Sequence, residues 1–318
     1  MASKQSLKKA KECEAKGSKA LTKFSFFGAG SSKYEDAAEA YDDAGKHYVI
    51  AKAYAEGGAA YERAAELHAK AKGEFEAATS HSKAAEAFQK AGEPDKCIAA
   101  YRSAVATFAG LGKCSMAANC AKKCAELVEE QAASDETQLA GAVEMYREAV
   151  DYYEAENRPQ AAGTCREKIA YLNAQLGAYD DAFAAFDELG RTALQSNLGK
   201  FNAKKWFTNA VLCALAREDS VRAANKLSEY ATLDYSFDGT REQQLCQGLI
   251  EAVDANDEDA VATAAAEYDK IKRLDPWMTK LLLKIKASVS GGGGEDGAAH
   301  LADEPPDEDE AEDLPDIT

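Results

Sequence analysis

The chain has 318 residues, a formal net charge of −17 and a pI near 4.8. That length suits one large domain, two small ones or an elongated repeat array, and that charge excludes a general nucleic-acid binder, which carries the opposite balance. Hydrophobic residues make up 46% but aromatics only 8%, and there are six prolines, so alanine-rich, uninterrupted helices are expected.

Residues 2–23 form a basic helix pattern with few apolar positions, among them Leu7, Ala10, Ala20 and Leu21. The stretch Phe24 to Tyr41, FSFFGAGSSKYEDAAEAY, follows. Its Phe24, Phe26 and Phe27 stand in a glycine-containing run too short to bury them in a core of its own. They are expected either to insert into the headgroup boundary of a bilayer or to fold back on the first helices. Ser32 and Glu35 have capping-box spacing and mark the next helix start.

Helical periodicity then predicts spans near 33–50, 53–71, 74–91, 94–111, 114–131, 136–156, 159–176, 178–196, 202–217, 219–233, 239–255, 257–273 and 276–290. Their short connections imply antiparallel neighbours. A repeat shows in alternate helices: AAYERAA, AAYRSAV, VEMYREAV and AAFDELG carry Tyr61, Tyr101, Tyr146 and Phe186. The spacing, roughly 40 residues, is that of one helix–turn–helix unit. The expected fold is an all-α, TPR-like α-solenoid, in which each helix pair buries its face only against the next. The last helix is marked by Asp275 as cap and Pro276 in the first position, with Met278, Leu281, Leu282, Ile285 and Val289 as its apolar stripe. Four glycines follow from Gly291, then a tail rich in Asp, Glu and Pro, expected to be a disordered acidic brush with Leu314 behind a run of acids.

No catalytic constellation emerges. Gly28–Lys33 lacks the order of a phosphate-binding loop. His47, His68 and His81 fall on separate helices. The eight cysteines are expected as free thiols packed as small apolar residues in a reducing cytosol; Cys120 and Cys124 lie one turn apart without a histidine near them. No metal or other cofactor is expected. No apolar run is long enough to span a bilayer, so any membrane contact is expected to be peripheral. Lys52, Lys90, Lys113, Lys168, Lys204 and Arg241 recur in successive units and read either as ordinary solvated side chains or as a basic row that suits an acidic rod.

The segments SFFGAGSSKYEDAAEAY, AFQKAG, VDYYEAEN, AQLGAYDDAFAAFDELG, KFNAKKWFTNAVLC and EYDKIKRLDPWMTKLLLKIK resemble the soluble NSF attachment proteins, alpha type, over about Leu21 to Lys286. The resemblance implies a non-enzymatic adaptor that coats the four-helix SNARE bundle and recruits the hexameric ATPase NSF to pull it apart. The alternative is a TPR-type scaffold or co-chaperone without a membrane role. The resemblance assigns Lys113, Lys168, Lys204 and Arg241 to the SNARE bundle. It assigns Phe24, Phe26 and Phe27 to the membrane. Glu218, Glu251 and Asp254, with Asp313 and Leu314 of the tail, fall to NSF. Asn119 and Thr164 depart from it, standing where the family commonly has lysines. The expected organisation is a basic helix and aromatic membrane loop (1–32), the repeat array (33–234), a C-terminal helical bundle (235–290) and the tail (291–318).

Overall fold

The computed structural model describes residues 2–22, 32–132, 135–195 and 199–290. Fourteen α-helices and no strand lie among the described residues. They are α1 (Ala2–Thr22), α2 (Ser32–Ile50), α3 (Tyr54–Lys70), α4 (Glu74–Ala91), α5 (Pro94–Gly110), α6 (Cys114–Ala132) and α7 (Glu136–Ala155). Then come α8 (Pro159–Gln175), α9 (Tyr179–Leu194), α10 (Lys200–Ala216), α11 (Ser220–Leu233), α12 (Arg241–Asp254), α13 (Glu258–Ile271) and α14 (Pro276–Val289). Each predicted boundary is met to within about two residues, the usual scatter of helix ends. The predicted aromatic loop and the tail, with Phe24, Phe26, Phe27, Asp313 and Leu314, lie outside the described residues.

The helix starts follow their chemistry. Asp135, Asp219, Thr240 and Asp257 accept first-turn N–H groups of α7, α11, α12 and α13. Pro94, Pro159 and Pro276 take the first position, where a missing N–H costs nothing. Asp275 does stand at the cap of α14, but its carboxylate accepts no cap hydrogen bond; Pro276 alone supplies the start signal there. Ser32, read as a cap, is itself the first residue of α2.

Eight of the helix ends share one turn. Lys52, Lys72, Gly92, Gly112, Asn157, Gly177, Glu218 and Asn256 all have positive φ, between 52° and 75°. In each case the next residue's N–H returns to the carbonyl five residues back: Ala53 to Tyr48, Gly73 to His68, Glu93 to Phe88, Lys113 to Phe108, Arg158 to Tyr153, Ala178 to Asn173, Asp219 to Ala214 and Asp257 to Ala252. This left-handed closure satisfies the orphan carbonyls and reverses the chain within a few residues. Successive helices are therefore antiparallel, as the Ser3–Ala51 and Tyr48–Glu14 hydrogen bonds also show for α1 and α2.

Two layers result. Cross-links between even helices run at nearly constant offset: Ser80–Asp42 and Cys120–Ser82 at 38 residues, Lys123–Glu86 at 37, Lys168–Glu129 at 39, Asn209–Tyr171 at 38. A constant offset means that α2, α4, α6, α8 and α10 lie parallel in one layer, and the Lys204–Glu242 pair adds α12. The odd helices form the other, tied at its end by Tyr230–Asp187 and Arg191–Glu229 between α9 and α11.

The repeat aromatics are core. Tyr61, Tyr101, Tyr146 and Phe186 belong to the odd layer and are buried. Small residues make room for large ones on the next helix: a Cβ at Gly58 would stand 2.5 Å from the Phe88 ring, and one at Gly190 2.4 Å from Phe207. The apolar interior forms two large clusters that meet on α8, where Ile169 and Leu172 face one and Ala170 and Ala174 the other. Helix α14 packs on α10 and α13 and brings Trp277 against Tyr171 and Phe186, both of which also contact Trp206. The eight cysteines are free thiols and six are buried. Burial pushes Cys97, Cys213 and Cys246 up to about 12 and Cys124 and Cys165 to about 11, which leaves them neutral packing groups.

Candidate partner-binding surface

The even layer has two edges. Its helices start at one, where the connections α3–α4, α5–α6, α7–α8, α9–α10, α11–α12 and α13–α14 lie. They finish at the other, with the remaining connections.

Of the residues assigned to the SNARE bundle, Lys168 is on α8, Lys204 on α10 and Arg241 opens α12. Lys113 directly precedes α6. All four therefore belong to consecutive members of one layer, with Lys113, Lys204 and Arg241 toward the starting edge. Lys52 and Lys90 do not share that position: they lie at the finishing ends of α2 and α4. The six-residue basic row read from the sequence is thus divided between two edges.

Two of the four cations assigned to the SNARE bundle, Lys168 and Lys204, are compensated within the chain. Glu129 accepts from Lys168 at 2.8 Å and from the Tyr146 hydroxyl at 2.7 Å, so it joins α6, α7 and α8. Lys204 and Lys272 both stand 3.7 Å from Glu242, a carboxylate only 4% exposed. Lys123 pairs with Glu86 and Lys205 with Glu167 in the same layer. Such half-exposed pairs contribute about 0–1 kcal/mol each and fix register more than stability. Lys113 and Arg241, both exposed, have no carboxylate partner among the described residues.

The two departures behave differently. The Asn119 side-chain carbonyl accepts from the Tyr153 hydroxyl at 2.7 Å and so joins α6 to α7. Thr164 bonds only within its helix, to the Gln160 carbonyl.

Three comparisons bear on what this surface serves. The family described as Soluble NSF attachment protein, SNAP, matches residues 8–290. The chain is 41% identical over 267 residues to the alpha-soluble NSF attachment protein of Dictyostelium discoideum, covering 84% of this chain and 90% of that one. It is 32% identical over 283 residues to the protein of that name from Vitis vinifera, covering 89% and 95%. The Mus musculus protein of that name is 33% identical over 280 residues, with 88% and 93% covered. The chain belongs to the soluble NSF attachment protein family. A tetratricopeptide repeat protein from Parabacteroides merdae superposes with a TM-score of 0.32 at 13% identity, over 87% of this chain and 99% of that one, too loosely to carry weight.

In this member of the family the finishing edge is acidic. Glu218 follows α10, Glu251 and Asp254 close α12, and all three are exposed. Asp257, Glu258 and Asp259 open α13 beside them. Helix α14 ends at the same place: Lys286 pairs with Glu258 at 3.1 Å and the Ser290 hydroxyl donates to it at 2.7 Å. Ser290, the last described residue, thus stands on the edge that carries the acids assigned to NSF.

The starting edge carries exposed apolar side chains that periodicity did not single out. Phe75, Phe201, Leu233, Tyr235 and Ile271 lie there, Phe201 and Tyr235 being 79% and 84% exposed. Thr22 and Ser32, which flank the aromatic stretch, belong to this edge as well. No helix among the described residues is long and apolar enough to cross a membrane.

Proposed function

We propose that this chain is a SNARE-disassembly adaptor of vesicular fusion, which binds assembled SNARE bundles and attaches the ATPase NSF to them. Family membership over residues 8–290 carries the reading. The adaptor has no chemistry of its own; it supplies surfaces. The SNARE bundle, an acidic rod, lies across the even layer on Lys113, Lys168, Lys204 and Arg241. The acidic finishing edge, with Glu218, Glu251 and Asp254, faces NSF, and Asp313 and Leu314 of the tail that follows Ser290 serve the same partner. Charge complementarity of this kind sets encounter rate and register more than affinity.

Membrane attachment is peripheral and falls to Phe24, Phe26 and Phe27, on the cytosolic face. Full burial of one Phe contributes about 1.5–3 kcal/mol, and each lysine near an anionic surface about 1 kcal/mol. Support comes from the neighbouring edge, which already exposes Phe75 and Phe201. Phe26→Ser with Phe27→Ser is expected to lower retention on anionic vesicles; unchanged retention refutes the membrane assignment.

The test of the adaptor itself is ATP-dependent disassembly of a preformed SNARE complex by NSF, with and without this chain. Disassembly only in its presence is expected. Lys204→Glu with Arg241→Glu is expected to suppress it while helicity by circular dichroism is kept; undiminished binding to the bundle would sink the assignment of these cations.

A further inference from the structure

Between α12 and α13, at the starting edge, a groove of about 380 Å³ opens beside Arg241. Its floor is apolar, from Leu245, Gly248 and Ala264, and exposed Ile271 stands at its rim. The floor is low because the helices touch through small groups: a Cβ at Gly248 would meet the Ala264 methyl at 3.3 Å. The rim carries Arg241 and Lys270, with Glu267 as its one acid. Lys272 and Arg273 follow immediately and are exposed. Of these four cations only Lys272 has a carboxylate partner among the described residues, and that partner is the buried Glu242. The groove therefore fits an extended segment that offers an apolar side chain between carboxylates.

The same chain contains such a segment. Residues 291–318 hold eleven Asp and Glu and no Lys or Arg. Near their end stands Glu312-Asp313-Leu314-Pro315-Asp316, one leucine with acids on both sides. Reach is no obstacle. Ser290 sits at the Glu258 end of α13, and the groove lies along that helix, whose 14 residues span about 21 Å. The chain from 291 to 314, opening with four glycines, has by composition an end-to-end distance of roughly 25–30 Å.

The geometry points to an intramolecular contact in which Leu314 enters the α12–α13 groove and the flanking carboxylates meet Arg241 and Lys270, so that the tail competes with the SNARE bundle for this end of the even layer. The inference rests on the reading of Arg241 as a SNARE-facing cation. Tethering gives the tail an effective concentration in the millimolar range. Even a weak contact is then populated, and an acidic partner that binds many sites at once displaces it. Release of the tail by the bundle would free Leu314 beside the NSF-facing edge only once a substrate is bound.

Two measurements on the full chain test this. Leu314→p-benzoylphenylalanine, illuminated in dilute solution without partners, is expected to cross-link within the chain to peptides from 241–248 or 264–273. Lys270→Glu with Ile271→Asp, both at exposed positions, is expected to remove that product while helicity is retained. Cross-links spread over the chain, cross-links between two chains, or a product indifferent to Lys270→Glu with Ile271→Asp overturn the contact. In the second measurement Asp309→Asn, Glu310→Gln, Glu312→Gln and Asp313→Asn are combined, and affinity for a preassembled SNARE bundle is compared with that of the parent. The neutralised tail is expected to bind about three- to tenfold tighter at about 0.1 M salt. The difference should vanish near 1 M, where charges are screened beyond about 3 Å. Equal affinity at low salt overturns the competition. A parent that cross-links as expected but binds no bundle, with or without the neutralising changes, keeps the contact and refutes the adaptor reading instead.

Discussion

At the scale of single residues, Glu218 separates stability from function. Its φ of 66° lies in the left-handed region, where a side chain costs about 1 kcal/mol or more and glycine costs nothing. The equivalent turn positions at 92, 112 and 177 are glycines. Glu218→Gly is therefore expected to raise the melting temperature by relieving about 1 kcal/mol of strain, and to slow NSF-driven disassembly by removing a carboxylate from the acidic edge. A variant that is more stable and equally active would show that Glu218 does not face NSF. Asp187 makes the opposite case, a charge kept for the fold. Burial pushes its carboxyl up, but hydrogen bonds from Arg191 and Tyr230, and the Arg191 and Lys226 charges, outweigh that and hold it below the usual range. A folded-state pKa below the unfolded value of about 3.9 contributes stability that is present above that value and lost as pH falls through the folded one. Denaturant titrations of the parent and of Asp187→Asn should differ by about 1–3 kcal/mol at pH 7, and the gap should begin to close below about pH 5 and go on closing as pH falls through the lowered folded-state value; a constant gap would deny the linkage.

At the scale of helices, Gly190 and Gly163 look alike in sequence but not in space. A methyl at Gly190 meets the Phe207 ring at 2.4 Å, whereas one at Gly163 of α8 meets nothing within 4 Å. Gly190→Ala is expected to destabilise by about 1–3 kcal/mol through overpacking. Gly163→Ala should stabilise by roughly 0.5–1 kcal/mol through helix propensity. Thermal melts that move in the same direction would contradict the packing. The contrast also shows what a sequence can and cannot disclose. Helix limits, the buried Tyr61–Phe186 series and the α14 stripe are written in local periodicity, cap residues and Pro276, and were legible. The pairing of Lys168 with Glu129 is not local: the partners stand 39 residues apart, and only the lengths of two helices and their turns bring them level. For the same reason Lys52 and Lys90 could be counted with Arg241 as one row although they lie at the opposite edge. Exposed Phe201 and Tyr235 gave no signal because an aromatic in an alanine-rich helical array reads as core. Asn119 shows the converse: a departure in the proposed binding row is also the acceptor that holds Tyr153.

At the scale of the molecule, the division of charge predicts a ranking within the cations proposed to face the SNARE bundle. Lys168 and Lys204 enter any complex already paired, with Glu129 and Glu242. When an acidic helix of the bundle approaches, each of these lysines exchanges one carboxylate for another, and the chain's own acid is left to repel the newcomer. Arg241 and Lys113 have no such debt among the described residues, so their contact with the bundle is gained outright. Removing Lys168 or Lys204 also uncovers Glu129 or Glu242, though Glu242 keeps Lys272 at 3.7 Å. Lys113→Ala and Arg241→Ala should therefore each reduce the association rate with the SNARE bundle strongly and lose most of that effect at high salt, because steering acts through unscreened charge. Lys204→Ala, with Glu242 still neutralised, should be the mildest of the four. Lys168→Ala should fall between, since Glu129 then keeps only the Tyr146 hydroxyl. Stopped-flow association at two ionic strengths reads the order directly. A ranking in which Lys204→Ala is the most damaging would mean that the bundle displaces Glu242 rather than binding beside it. The even layer would then have to repack around a buried carboxylate each time a SNARE complex is captured.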